Sequence, residues 1–193
     1  MTTATIEKPA RVAMNGVDIP TFVATLGVVG QNPEIAHFTF RASGEWLSGT
    51  HSRTSFEGFF GAMGEQKHRQ SYAIEGDHPQ VLCGADNGVT PVEMLLAALS
   101  ACLTAGIGNI AAMRQVKLHS VETSIEGDID LNGILGLDKS VRNGFSGIRA
   151  TFRIKGEASD EVLEAIVHQS VARSAVFDVL TNGVPVTVAA IAA

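Results

Sequence analysis

The sequence predicts an α+β fold built on a largely antiparallel sheet, with a long buried central helix and a second helix near the C-terminus. Segments with strand periodicity come first, an uncharged helical stretch follows, and two further strand-like segments precede two helical ones. Because strands and helices do not alternate regularly, a parallel sheet of βαβ units is not expected. No repeat or linker composition divides the chain, so residues 1–193 are interpreted as one domain, with residues 1–34 as an N-terminal extension that contains a short helix.

The central helix is predicted from a stretch that starts at Thr90 and combines a complete helix start with an apolar run. Thr90 can cap the first free N–H groups, Pro91 stands where a missing N–H costs nothing, and Glu93 can close a capping box. From Met94 to Met113 no residue is charged. A helix that is apolar on nearly every face is either buried in a protein or placed in a membrane.

The uncharged run is long enough to cross a bilayer, so a transmembrane helix is the alternative interpretation. The run is rich in Ala, Gly and Ser and has no belt of Trp or Tyr residues, which favours a buried core helix. The N-terminus lacks the apolar segment of a secretory signal, so a cytoplasmic location is expected.

The charge balance argues against two classes of partner. The chain has 20 acidic and 14 basic residues, and its formal net charge is −6. This gives no electrostatic reason to expect a nucleic acid or an anionic membrane surface as a partner. Two cysteines are too few for a disulfide framework. In a reducing compartment each is therefore either a packing residue or a residue with a reactive thiol.

The first third of the chain is predicted to hold the short helix, over residues 19–29, and a set of antiparallel strands. Alternating apolar residues predict strands over residues 37–41, 46–56 and 68–75, with a glycine-punctuated loop over residues 58–64.

The clearest strand pattern follows the central helix, between Val121 and Leu131, where apolar residues alternate with acidic ones. A second segment, from Phe145 to Lys155, alternates apolar residues with basic ones. Antiparallel pairing would set acidic side chains opposite basic ones, at about 0.2–1 kcal/mol per favourable pair. We therefore expect these strands to be neighbours, with a short helical turn around residues 135–140 in their connection.

The C-terminal part is predicted to hold two helices and a final strand. Ser159 can cap the first helix, and Ser174 can cap a shorter one that ends before Gly183. The alternation from Val184 to Val188 predicts a last strand, with Pro185 placing it at a sheet edge or standing at its start.

Cys102, in the central helix, is the residue with the clearest chemical potential. The six histidines show no metal-ligand spacing, and the sequence has no GxSxG elbow, Walker loop or dinucleotide fingerprint, so no metal and no cofactor are expected. Cys102 is either a small core residue or a reactive thiol, and reactivity requires a nearby cation to ionise the sulfur. Arg53 is the candidate for that cation.

The segment Thr90-Pro-Val-Glu-Met-Leu-Leu-Ala-Ala-Leu-Ser-Ala-Cys102, with the downstream Ala175-Val-Phe-Asp-Val-Leu, resembles the OsmC/Ohr family of thiol-dependent hydroperoxide reductases. The likeness covers roughly residues 35 to 190, and the N-terminal stretch resembles a longer OsmC-like branch. The resemblance implies an OsmC-like fold and an intertwined homodimer with two sites at its interface. In each site a peroxidatic cysteine attacks the peroxide, and an arginine stabilises the thiolate.

The candidate catalytic residues that the resemblance implies are Cys102, Arg53 and Glu93. Cys102 matches the peroxidatic position, and Arg53 matches the arginine of the early strands. Peroxide-reducing members place a glutamate directly after the proline, whereas this chain has Val92 there and Glu93 one position later. The capping box already explains Glu93, and the rise of roughly 13.5 Å over nine residues keeps it from Cys102 along one helix.

Members with two cysteines resolve the sulfenic acid with a second cysteine at the start of the last helix, where this chain has Ser174. Serine cannot form a disulfide, so recycling by an external thiol reductant is implied. The other thiol, Cys83, is interpreted as a packing residue, or as a resolving residue if its loop folds back. The first hypothesis is reduction of an organic hydroperoxide by Cys102. The alternative is a non-catalytic dimer that binds a small apolar ligand at its interface.

Overall fold

The computed structural model describes residues 13–192, which form two compact units. The first unit comprises Asp18–Leu95, and the second comprises Ala13–Val17 together with residues 96–192. The chain passes from one to the other within the central helix. The interpretation of residues 1–193 as one domain stays a prediction, and an expected mobile terminus, residues 1 to about 12, lies outside the described residues.

The first unit begins with helix α1, Ile19–Gln31, which confirms the short helix predicted in the N-terminal extension. Asp18 caps it, because its carboxylate accepts hydrogen bonds from the backbone N–H of Thr21 at 3.1 Å and from the Thr21 hydroxyl at 2.7 Å. Pro20 lies in the first turn, where the missing N–H leaves no helical hydrogen bond unmade.

The sheet of the first unit is antiparallel, and its third strand pairs with all the others. The first two strands lie along one edge of that strand, and the fourth lies along the other edge. The four strands are β1, Thr39–Phe40; β2, Ser43–Ser48; β3, His51–Gly61; and β4, Gly64–Gly76.

Two sequence predictions in this sheet are wrong. The strand predicted over residues 46–56 is interrupted by a turn at Gly49, whose φ of +55° suits a residue without a Cβ. The loop predicted over residues 58–64 is instead a hairpin, in which β3 runs to Gly61 and β4 begins at Gly64. Ala62 and Met63 form its turn with φ of 49° and 67°, values that these residue types rarely adopt and that the sequence therefore does not signal.

The loop between β4 and the central helix is held by Asp77, a carboxylate with 1% exposure. It accepts hydrogen bonds from the hydroxyl of Thr50 at 2.5 Å and from the backbone N–H of His78 at 2.8 Å. Asn87 donates two more, from its backbone N–H at 3.1 Å and its side-chain amide at 2.8 Å. The bonds from Thr50 and Asn87, followed by that from His78, hold the pKa of Asp77 well below its usual range.

The central helix is α2, Pro91–Met113, and its predicted start is confirmed. It is long and apolar enough to span a bilayer by length and composition, and 28% of that apolar window is buried inside the protein, so the expectation of a helix buried along its length is met only in part. Its buried residues are Leu99, Leu103, Ile107, Ile110, Ala111 and Ala112, and all of them except Ala112 lie on one flank of the helix. This flank is the hydrophobic face that a core helix presents to its neighbours.

In the second unit, strands β5, Leu118–Asp128, and β6, Gly147–Gly156, form the predicted antiparallel pair. The register sets Glu122 opposite Arg153 and Glu126 opposite Arg149, as the charge pattern predicts. The helical turn in their connection, α3, is Leu131–Ile134, earlier than the predicted residues 135–140. Asp130 starts it there, because its side chain accepts the backbone N–H of Asn132 at 2.9 Å.

The core of the second unit lies between α2 and helix α4, Asp160–Ala172, which is followed by α5, Ala175–Asn182. Buried side chains of the two longer helices and Val116 form one cluster: Ile107, Ile110, Ala111, Val116, Leu163 and Ile166. Nearby, the buried hydroxyl of Ser170 donates to the carbonyl of Leu103 at 2.7 Å. A Cβ on Gly106 would lie 2.2 Å from the Ser170 oxygen, so glycine permits this close approach.

The final strand predicted over residues 184–188 is not formed, and these residues are exposed. Val186 and Val188 are 79% and 87% exposed. The apolar alternation is present, but no strand in the described part of the chain pairs with it. The predicted α+β class is confirmed, with antiparallel sheets and five helices within residues 13–192. The intertwined dimer stays a prediction.

The contact at Gly106 predicts the effect of adding one methyl group to α2. Gly106→Ala should lower the free energy of unfolding by about 1–3 kcal/mol, because the new Cβ overlaps Ser170 in a packed interior. Gly108→Ala is the matched control, since a Cβ there meets nothing within 4 Å, and it should add about 0.5–1 kcal/mol by helix propensity. Urea unfolding followed by circular dichroism measures both. Equal effects of the two substitutions would contradict the close contact.

The buried carboxylate of Asp77 predicts a pH-dependent contribution to stability. Its folded pKa lies below the unfolded value of about 3.9, so the contribution is present at neutral pH and is lost as the pH falls below about 5. Asp77→Asn should therefore destabilise the protein at pH 7. The difference in free energy of unfolding between this variant and the wild type should shrink as the pH falls from about 5 to about 3, because the carboxyl of the unfolded chain takes up its proton over that interval. Urea unfolding across this range tests it, with the exposed loop residue Asp86→Asn as the control. A difference that stays constant with pH would contradict the assignment.

Candidate functional site

Cys102 lies in the middle of α2 and is half-buried. Its neighbours on the helix differ in exposure, since Leu99 and Leu103 are 4% and 2% exposed whereas Ala98, Ala101 and Ala105 are exposed. The sulfur therefore lies at the border between the core of the second unit and a flank of small side chains. Such a flank lets another backbone or a ligand come close to the helix.

Ser174 is the polar residue that contacts Cys102. Its hydroxyl lies 3.1 Å from the Cys102 sulfur, and the residue is 6% exposed. The same oxygen accepts the backbone N–H of Phe177 at 3.1 Å, which confirms Ser174 as the N-cap of α5. Sequence reasoning identified the cap and missed the contact with the sulfur. The signal in the sequence was the resemblance to the OsmC/Ohr family, which implies that members with two cysteines have the second one at this position.

Arg53 projects from β3 and is bound by carboxylates of the same unit. Its Nε donates to Glu75 at 2.6 Å, and its Nη1 lies 3.9 Å from Glu45. His51 contacts the other oxygen of Glu75 at 2.8 Å. The hydrogen bond from Arg53, followed by that from His51, lowers the pKa of Glu75, and the Glu75 carboxylate raises the pKa of the guanidinium. Arg53 is thus a permanent cation with a fixed orientation, and its contact with a thiolate stays a prediction.

Glu93 closes the predicted capping box at the start of α2. One carboxylate oxygen accepts both the backbone N–H of Thr90 at 2.8 Å and its hydroxyl at 2.8 Å. The Thr90 oxygen in turn accepts the backbone N–H of Glu93 at 3.3 Å. The backbone hydrogen bond from Thr90, followed by the one from its side chain, lowers the pKa of Glu93. These contacts show what holds the carboxylate, and a catalytic role for it stays a prediction.

Cys83 is exposed, so its interpretation as a packing residue is wrong. It follows a short 3-10 turn, Gln80–Leu82, and adopts a left-handed conformation with φ of 63°. No group of three or more His, Cys, Asp or Glu residues within the described range is arranged to hold a metal ion.

Solved structures with a similar fold share little sequence with this chain. An OsmC-like protein from Mycoplasma pneumoniae superposes with a TM-score of 0.57 at 14% identity, covering 74% of this chain and 86% of that one. An OsmC-like protein of unknown function from Vibrio cholerae gives 0.51 at 16%, covering 72% and 91%. An organic hydroperoxide resistance protein OsmC from Legionella pneumophila gives 0.50 at 15%, covering 75% and 91%. At these identities the likeness shows the fold alone.

Sequence comparison identifies the family. No curated protein sequence matches the chain. The family model described as OsmC-like protein matches residues 84–189, which include α2 with Cys102 and the whole of α5. This match covers more than half of the 193 residues. The chain therefore belongs to the OsmC-like protein family.

Proposed function

We propose that this protein is a thiol peroxidase in which Cys102 reduces organic hydroperoxides and an external thiol recycles it. The observation that carries the proposal is the half-buried sulfur on a flank of small side chains, with a buried hydroxyl 3.1 Å away. Membership of the OsmC-like family supports the reaction type. The apolar character of α2 around the sulfur favours an organic hydroperoxide over hydrogen peroxide.

The proposed reaction begins with attack of the Cys102 thiolate on the terminal oxygen of the hydroperoxide. An S–O bond forms while the O–O bond breaks, and the remaining alkoxide takes a proton to leave as an alcohol. The sulfur is oxidised to a sulfenic acid, and the peroxide is reduced by two electrons. The thiolate is the nucleophile in this step, so a cation that stabilises it raises the rate. Arg53 is the proposed cation, with its Nε bound by Glu75.

An external thiol completes the cycle in two steps. The first thiol attacks the sulfenic acid, releases water and forms a mixed disulfide with Cys102. A second thiol attacks that disulfide, releases an oxidised thiol pair and restores the Cys102 thiol. Ser174 stands where a resolving cysteine would act, and a hydroxyl cannot form a disulfide. A reducing cytoplasm with abundant small thiols is the compartment that suits this cycle.

A homodimer is part of the proposal. Phe40 and Trp46 in the first unit are 73% and 74% exposed, and Phe40 lies against Phe38 and Phe59 at centroid distances of 5.9 and 5.3 Å. In the second unit, Ile134 and Leu137 are 57% and 73% exposed. Exposed apolar clusters of this kind mark interaction surfaces. A second copy of the chain is the proposed partner.

The rival function is a non-catalytic dimer that binds a small apolar ligand, and Ser174 is the observation that favours it. With a serine in place of the second cysteine, Cys102 has a hydrogen-bond partner but no disulfide partner at position 174. A sulfur retained for packing would have the same surroundings. The two functions differ in whether the sulfur changes its oxidation state in the presence of a hydroperoxide.

Replacing Cys102 separates the two functions. Wild-type protein treated with cumene hydroperoxide should gain one oxygen atom, or a thiol adduct when a small thiol is present, and should consume peroxide with that thiol. Cys102→Ser should lose all turnover because the nucleophile is gone, whereas Cys83→Ser, the matched control, should keep it. Intact-mass spectrometry and a peroxide assay measure both. A wild-type Cys102 that gains neither oxygen nor adduct, while a control thiol does, contradicts the peroxidase proposal.

Substitution of Glu93 tests whether its carboxylate does more than cap α2. Gln at this position can still reach the Thr90 backbone N–H, so Glu93→Gln should leave stability and peroxide turnover near wild type. Glu93→Ala should lower the free energy of unfolding by about 1 kcal/mol through loss of the cap. Urea unfolding and the peroxide assay measure the two effects. Turnover lost in Glu93→Gln with stability intact would instead assign the carboxylate to catalysis.

A further inference from the structure

The contact between Ser174 and Cys102 has a defined donor. Ser174 Oγ lies 3.1 Å from the sulfur and 3.1 Å from the backbone nitrogen of Phe177. A backbone N–H can only donate, so the serine oxygen accepts from Phe177. Its own proton is then free to point at the sulfur. A thiolate has no proton to donate, so towards an ionised Cys102 the serine hydroxyl can only be the donor.

The two hydrogen bonds form a chain that connects the start of α5 to the sulfur. The free N–H groups at a helix start carry its positive dipole end, and the Phe177 N–H is one of them. Its donation polarises the serine hydroxyl and strengthens the bond that this hydroxyl donates. The bond is stronger still when the acceptor is an anion. With Ser174 only 6% exposed, little water competes for the contact.

We propose that Ser174 is a positioning residue for Cys102, which holds the sulfur in place and stabilises its thiolate through this donated hydrogen bond. The inference rests on the proposed peroxidase function, in which the thiolate is the nucleophile. The serine changes neither its bonds nor its oxidation state in the reaction. Its role is to bring the electrostatic effect of the N-terminus of α5 to the sulfur through the hydrogen bond, in addition to capping the helix.

Alkylation of Cys102 by iodoacetamide tests this role without a peroxide. In a Cys83→Ser background, Ser174→Ala removes donor and cap, Ser174→Gly removes the donor with little loss of the cap, and Ser174→Thr keeps both groups. At pH 7 the second-order rate should fall about tenfold in the Ala and Gly variants and stay within about twofold of wild type in the Thr variant. At pH 10, which lies above the ordinary pKa of a cysteine thiol, all rates should agree within about twofold.

The direction of the change separates this role from a purely structural one. If Ser174 only capped the helix, its loss would fray α5 and expose the sulfur, and alkylation would not become slower. An unchanged or faster alkylation rate at pH 7 in the Ala and Gly variants would therefore overturn the inference. Equal decreases at pH 7 and pH 10 would show that Ser174 controls access to the sulfur, which would also overturn it. A lower rate confined to pH 7, with recovery in the Thr variant, supports it.

Peroxide consumption by the wild type, measured in parallel, keeps the two proposals apart. If the wild type consumes cumene hydroperoxide while the Ala and Gly variants are alkylated at the wild-type rate, the inference about Ser174 fails and the peroxidase function stands. If alkylation depends on Ser174 while the wild type consumes no peroxide, the peroxidase function fails and the stabilisation of the thiolate by Ser174 stands.

Discussion

The close approach of α2 and α4 at Gly106 and Ser170 sets the geometry of the second unit. The Ser170 hydroxyl reaches the carbonyl of Leu103 at 2.7 Å only because position 106 has no Cβ. Cys102 precedes Gly106 by four residues, about one turn of α2, and Ser174 follows Ser170 by four residues, just beyond the end of α4. The contact therefore joins α2 to the C-terminal end of α4 close to the place where the hydroxyl of Ser174 meets the sulfur of Cys102. The packing of the core and the geometry of the candidate site thus share one origin.

Features written in local sequence could be predicted. The capping box at Thr90, the cap at Ser174 and the opposed charges of β5 and β6 each depend on residues a few positions apart or on a simple alternation. The two caps are fixed by local rules, because the groups involved meet whatever the rest of the fold does, whereas the pairing of β5 with β6 was inferred from their complementary charges. Composition alone leaves Cys102 as either a core residue or a reactive one. The family resemblance implies that it occupies the peroxidatic position.

Structural features that depend on distant contacts or on residues in rare backbone conformations could not be predicted from the sequence. The turn at Ala62 and Met63 is made by residues that rarely adopt positive φ, so no glycine or asparagine signals it. The strand expected over residues 184–188 has the correct alternation, but a strand also needs a partner, and pairing is a long-range property. The bond between Ser174 and Cys102 joins residues 72 positions apart, beyond the reach of any periodicity.

The serine at position 174 affects both the start of α5 and, under the proposed function, the way in which Cys102 is recycled. A serine hydroxyl is one of the best N-cap acceptors, so α5 gains a firm start and its first turn stays ordered next to the sulfur. Under the proposed peroxidase function, a serine here also removes the disulfide partner at position 174, so the reductant of oxidised Cys102 would arrive from solution. The exposed alanines beside Cys102 on α2 leave that approach open, because they place no bulky side chain over the sulfur. In the proposed cycle, the serine cap and the flank of small residues are two parts of one arrangement, in which the protein orders the sulfur and a diffusing thiol recycles it.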